Sequence, residues 1–204
     1  SRLMAKKKSV VYPVIFMLGL TLVLTLALAL LNQVTTPTVK FNQDIELKHK
    51  ILNVFNILPE DTSASNIDKT FKDNVVEEDY KDSKLYILKQ DGEEKAYAVP
   101  INGPGLWGSI SGYVGITKDM KKLVGIEFIK QDETPGLGGR ITEDEYKNQY
   151  RDLDISKPVD GKIVINKPAN GGNIDAISGA TQTSTFVVNM INEDVNEFIK
   201  NGGK

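Results

Sequence analysis

Apolar residues run from Val10 to Leu31 with no charge among them, and then give way to mixed segments in which apolar positions recur at fixed periods. At about 1.5 Å of rise per helical residue such a run reaches roughly 33 Å, the depth of a bilayer core. Pro13 falls in its first turn, where a missing N–H costs little. The run passes straight into Asn32, Gln33 and Val34 without a small-residue cleavage site, so a retained anchor is expected rather than a removed signal segment. Arg2, Lys6, Lys7 and Lys8 precede it and no positive charge follows until Lys40, which predicts a single-pass protein of the cell (inner) membrane with a cytoplasmic N-terminus. The expected divisions are 1–9 in the cytoplasm, 10–31 in the lipid bilayer, 32–40 as a stalk and 41–204 as an extracytoplasmic domain. Within the stalk, Thr35 to Val39 contains Pro37 and reads as extended backbone.

Beyond the stalk, Ile45, Ile51, Leu52, Phe55 and Leu58 share one helical face. Asn66 to Tyr80 predicts a second, weaker helix. Leu85 to Leu88 and Ala96 to Val99 flank the turn signal Asp91-Gly92 and predict a β-hairpin, and Ile110 to Thr117 with Leu123 to Lys130 predicts another around a polar turn. Thr142 and Glu145 have capping-box spacing ahead of a short helix over Glu143 to Arg151, whose acidic residues read as a solvated first turn. Ile163 to Ile165 is a candidate strand and Pro168 to Asn173 a loop. In the last segment Val187, Met190, Ile191, Val195, Phe198 and Ile199 recur at helical spacing, with Gly202-Gly203 just past the end. The pattern is α+β, an antiparallel sheet with flanking helices behind one transmembrane helix.

Composition narrows the chemistry. A formal charge of −2 over 204 residues supplies no field for nucleic acid. With no cysteine, the chain has no disulfide, thiolate metal site or iron–sulfur cluster of its own, so redox work requires a borrowed cofactor. The single histidine, His49, lies among Lys48 and Lys50 on the predicted helix and reads as solvated.

Three small-residue segments are candidates for a site. Asp175-Ala-Ile-Ser-Gly-Ala-Thr181 precedes the last helix, where Ser178, Gly179 and Ala180 permit close backbone approach and first-turn N–H groups suit a phosphate. An ordinary helix cap has the same composition. Asp132 to Arg140 is a glycine-rich loop too long for a minimal hairpin turn, and Gly103 to Gly108 holds the sole tryptophan, Trp107. A lone tryptophan is ordinarily core, although one between glycines is placed to cover an aromatic ligand.

The segment from Asp175 to Thr181 resembles the D-x-x-[ST]-G-A-T flavinylation signal of the FMN-binding domain family. Glu133-Thr-Pro-Gly-Leu-Gly138 and Gly105-Leu-Trp-Gly108 resemble that family's other signatures. Their order behind one span is similar to the RnfG subunit of Rnf ferredoxin:NAD⁺ complexes, which the compact length favours, and to the NqrC subunit of Na⁺-translocating NADH:quinone oxidoreductases, of which Gly105-Leu-Trp-Gly108 is more reminiscent. The resemblance implies FMN joined by a phosphoester to Thr181, with Asp175, Ser178, Gly179 and Ala180 forming the adjoining loop. It further implies Thr134, Gly136 and Leu137 against the isoalloxazine, Leu106 and Trp107 on its other side, Glu133 and Gly138 as cofactor-binding residues of the same signature, and Lys167 nearby. It implies multi-span membrane subunits as partners, an FAD:protein FMN transferase for maturation, and a redox subunit with no complete catalytic cycle of its own. The rival reading is an anchored binding or scaffold module that uses the same loops as turns and holds no cofactor.

Overall fold

The computed structural model describes residues 10–203, so the basic residues expected to set topology lie outside the described part. Helix α1 covers Val11–Val54 and α2 covers Ala64–Asn74. Strands β1 (Val75–Tyr80), β2 (Ser83–Gln90), β3 (Glu93–Pro104), β4 (Ser109–Thr117) and β5 (Leu123–Lys130) follow. After two 3₁₀ turns around the short helix α3 (Asp144–Lys147), the chain ends in α4 (Thr181–Lys200). It divides into two units between Asp44 and Ile45.

In the first unit the apolar run forms a helix long and apolar enough to cross a membrane, with exposed side chains throughout. The expected extended stalk is corrected, because α1 passes through Pro37 without a break. A proline removes one helical N–H and crowds the carbonyl four residues back, but it interrupts a helix already propagating on both sides. The hydroxyls of Thr35 and Thr36 donate to the carbonyls of Leu31 and Asn32 at 2.8 and 2.5 Å, which adds side-chain bonds to the helical backbone just ahead of the proline.

The second unit is built on a sheet in the order β1-β2-β3-β4-β5, antiparallel throughout. Alternation along its strands feeds two cores. Leu85, Ile87, Tyr97, Val99, Ile101, Val114 and Ile116 face α4, whereas Tyr86, Leu88, Ala96, Ala98 and Tyr113 face Ile51, Leu52, Val54 and Phe55 of the α1 terminus together with Ile67 and Phe71 of α2. The expected α+β layering is thus observed. Gly115 and Gly125 pair across β4 and β5 beneath the α1 terminus, where added Cβ atoms would meet Val54 atoms at 2.8 Å in each case. Asn56, at φ 57, stops the helix, and Ile57 N–H returns to the Leu52 carbonyl.

Both predicted hairpins form, the first through Asp91 and Gly92 at φ 53 and 77, which a two-residue type I′ turn requires. The second predicted helix ends early. Val75 to Tyr80 pairs with β2 as an edge strand, and its exposed acidic residues gave it the look of a helix surface. No capping box forms: Glu143 is the N-cap of α3, and the Thr142 hydroxyl donates instead to the Gly139 carbonyl at 3.0 Å.

Ile163 to Ile165 is not a strand, because side chains take the place of a neighbouring strand. Asn192 Oδ1 accepts from Ile163 N–H and Val164 N–H at 2.8 and 3.1 Å, and its Nδ2 donates to the Val164 carbonyl at 2.7 Å. Asn173 bridges Ile165 N–H and the Ile163 carbonyl in the same way. At the C-terminus Gly203 N–H donates to the Phe198 carbonyl at 3.1 Å, with Gly202 and Gly203 at positive φ, so the predicted glycine stop is present.

Candidate functional site

Three chain segments converge at the start of α4. The first is the tip after β3, where Gly105 N–H donates to the Gly108 carbonyl at 2.6 Å and closes a tight loop. The successive amides of Leu106 and Trp107 point inward, and their side chains project outward. Trp107 is 70% exposed and Leu106 47%, so the core reading of this tryptophan is overturned.

The second segment is the loop after β5. Leu137 N–H and Gly139 N–H both donate to the Thr134 carbonyl, at 3.1 and 3.0 Å, and Gly136 takes φ 74 in open space. That curl turns Leu137 outward, where it is 46% exposed. Gly138 is needed for a different reason: an added Cβ would sit 2.5 Å from Thr183 Oγ1 and 2.8 Å from Glu133 Oε2.

The third segment enters α4. Ala180 N–H donates to the Ile177 carbonyl at 2.9 Å across a turn in which Gly179 adopts φ 78, the third-position geometry that favours glycine. Ser184 Oγ locks the turn by accepting from Ile177 N–H at 3.0 Å and donating to the Ala180 carbonyl at 3.1 Å. Thr181 is the first residue of the helix and is exposed, and the N-cap, Ala180, makes no side-chain cap bond. The amides of the first turn therefore have no carbonyl of their own helix to bond, and they lie at its positive end.

Glu133 joins all three segments. It is 5% exposed, and its Oε1 accepts from Leu106 N–H at 2.8 Å and Trp107 N–H at 3.1 Å, while Oε2 accepts from the Thr183 hydroxyl. Consecutive inward amides make an anion-binding nest, here filled by the protein's own carboxylate.

The resulting cleft has a volume of about 460 Å³ and brings together Leu106, Trp107, Glu133, Thr134, Leu137, Gly138, Gly179, Ala180 and Thr181, all singled out from sequence. Asp175 and Ser178 instead line a neighbouring hollow of about 220 Å³. Lys167 pairs with Asp175 at 3.3 Å. The Gln149 side chain clamps the backbone of Asp175, accepting from its N–H at 2.6 Å and donating to its carbonyl at 3.2 Å. Sequence reasoning missed Gln149 and Thr183. A helical offset of two residues turns Thr183 inward while Thr181 faces out, and its pairing with a carboxylate 50 positions away leaves no local signal. His49 is partly exposed and lies outside this cleft's lining.

Residues 105–196 match the FMN-binding domain. The chain is 36% identical over 108 residues to the G subunit of the ion-translocating oxidoreductase complex of Methanosarcina acetivorans, covering 53% of this chain and 54% of that protein. It is 32% identical over 120 residues to the G subunit of the proton-translocating ferredoxin:NAD(+) oxidoreductase complex of Clostridium ljungdahlii, covering 58% and 62%. These matches thus span little more than half the length of either relative. The crystal structure of the C subunit of the Na(+)-translocating NADH-quinone reductase from Parabacteroides distasonis superimposes with a TM-score of 0.67 at 25% identity, covering 82% of this chain and 96% of that one. The resemblance read from the three motifs is borne out, and the fold is that of the reductase protein from Parabacteroides distasonis.

Proposed function

We propose that this chain is a membrane-anchored electron-relay subunit of an ion-translocating oxidoreductase, of the Rnf ferredoxin:NAD⁺ type, carrying FMN through a phosphoester to Thr181. The observation that carries the reading is the exposed Thr181 hydroxyl at an uncapped helix start, on the rim of a cleft with three outward apolar side chains. The residues present suit the cofactor: amides of the first α4 turn for a phosphate, and Leu106, Trp107 and Leu137 for a flat heterocycle. When bound, FMN would supply the electron transfer, for which this chain has no cysteine and, among the described residues, no cluster of metal-ligating side chains.

Attachment to the threonine is what the motif resemblance implies. The Thr181 oxygen would take the FMN phosphoryl group of FAD, its bond to phosphorus replacing the pyrophosphate bond, with AMP as leaving group and the hydroxyl proton released. A separate FAD:protein FMN transferase runs this step, and the present chain is its substrate. The Gln149 clamp holds the backbone of Asp175 while its carboxylate remains exposed, which suits a segment that a transferase must read.

Similarity to two G-type subunits supports the Rnf-type assignment, while 35% identity over 115 residues to a C-type subunit of Yersinia pestis and likeness of fold to another support the alternative, an NqrC-type protein. Partners in either case are multi-span subunits of the same complex. The basic residues ahead of the apolar run favour an extracytoplasmic domain at the cell membrane.

Intact mass and peptide mapping of chain made in its native host test the attachment: the peptide containing Thr181 gains one FMN, and Thr181→Ala loses flavin on denaturation. An unmodified Thr181 peptide refutes it. Because the chain has no cysteine, single cysteines placed at exposed positions of the domain report orientation through an impermeant label in intact cells. Absence of labelling there, with labelling after lysis, refutes the assigned side.

A further inference from the structure

Glu133 is a carboxylate buried among neutral donors: two backbone amides and one hydroxyl, with no cation in ion-pair range among the described residues. Burial of an unpaired charge is unfavourable, and hydrogen bonding alone does not require it. A glutamine of the same shape would accept from both amides through its carbonyl oxygen and turn its NH₂ toward the Thr183 hydroxyl. Among the described residues the charge is met at hydrogen-bond range by those donors, and the positive end of α4, whose first turn contains Thr183, lies beside it. Its surroundings are built around it. An added Cβ at Gly105 would lie 2.5 Å from Oε1, and one at Gly138 would lie 2.8 Å from Oε2, so glycines admit the carboxylate from both loops.

We propose that Glu133 is a positioning residue with two separable actions. Its hydrogen bonds fix the Leu106–Trp107 tip against α4, so that two exposed apolar side chains stand on an immobile backbone. Its charge, set into the lining of the cleft, disfavours addition of electrons to whatever occupies the cleft and so lowers the potential of a resident flavin. The second action rests on the FMN reading, whereas the first does not.

The full chain in detergent serves both tests, because Trp107 is the sole tryptophan and reports the tip directly. In a Thr181→Ala background made without added flavin and confirmed colourless, Glu133→Ala enlarges the fast component of the Trp107 anisotropy decay, and Glu133→Gln leaves it as in the parent. An unchanged decay in a folded Glu133→Ala chain overturns the fixing of the tip. In flavinylated chain, Glu133→Gln raises the midpoint potential, shifting the oxidised-to-reduced ratio at fixed ambient potential at least about tenfold, equal to about 30 mV for a two-electron couple. An unchanged potential overturns the role of the charge. Glu133→Gln preserves shape, so the potential remains readable if Glu133→Ala does not fold. If no variant, parent included, carries flavin when made natively, the FMN reading has failed, while the anisotropy comparison still decides whether Glu133 holds the tip.

Discussion

Gly136 and Gly138 lie two residues apart in one loop, and alanine at each should be tolerated to different degrees for different reasons. At Gly138 the new methyl would meet Thr183 Oγ1 at 2.5 Å and Glu133 Oε2 at 2.8 Å, closer than real Cβ contacts come. Both are side-chain ends, but each is buried and they are bonded to one another, so relieving the clash separates them. Leaving a buried donor or acceptor without a partner costs about 1–3 kcal/mol, and two such groups are exposed to that loss, so Gly138→Ala should destabilise by about 2–4 kcal/mol. At Gly136 there is open space, and the penalty is only that of φ 74 for a residue with a Cβ, about 1 kcal/mol. Denaturant unfolding of the full chain in detergent, followed by Trp107 emission, measures both. The clash also predicts coupling. In a Thr183→Ala background the nearest obstacle is gone, so the additional cost of Gly138→Ala should shrink by about 1 kcal/mol or more. Equal losses at the two glycines, or additivity with Thr183→Ala within about 0.5 kcal/mol, would refute this account of the loop.

Two further outcomes follow from polar groups away from the cleft. Asn192→Ala removes the partner of Ile163 N–H, Val164 N–H and the Val164 carbonyl, and should cost about 2–4 kcal/mol with loss of hydrogen-exchange protection at those two amides; retained protection there would contradict it. Burial raises the Asp194 carboxyl above its ordinary value of 3.8, against the lowering effect of the Asn102 N–H bond, so its folded state holds the proton more tightly than the unfolded chain does. That contribution to stability is complete below the unfolded value and is lost as pH rises through the raised one. Asp194→Asn should therefore raise the melting temperature at neutral pH by more than at pH 3; a gain that is the same at both would refute the assignment.

Much of this architecture is legible in the amino acids because local chemistry dictates it. Asp91-Gly92 can hardly be anything but a hairpin turn, and the period of Val187, Met190, Ile191, Val195 and Phe198 leaves one face to bury. What escapes sequence reading is decided by distant partners. Val75 to Tyr80 is a strand because β2 offers an edge, and Ile163 to Ile165 is not one because Asn192 and Asn173 satisfy its amides first. Pro37 remains helical because propagation from both sides outweighs one lost bond. At the cleft the small-residue segments announce themselves, but the Glu133–Thr183 link that draws them together and the outward pose of Trp107 are properties of the folded chain alone.

The tip between Gly105 and Gly108 is moored by its peptide groups, not by what hangs from them. Any amino acid except proline brings such a group, so evolution is free to retouch the chemistry facing the cleft at positions 106 and 107 without loosening the mooring. Change at those two sites can then adjust what the cleft grips while its frame stays where it was.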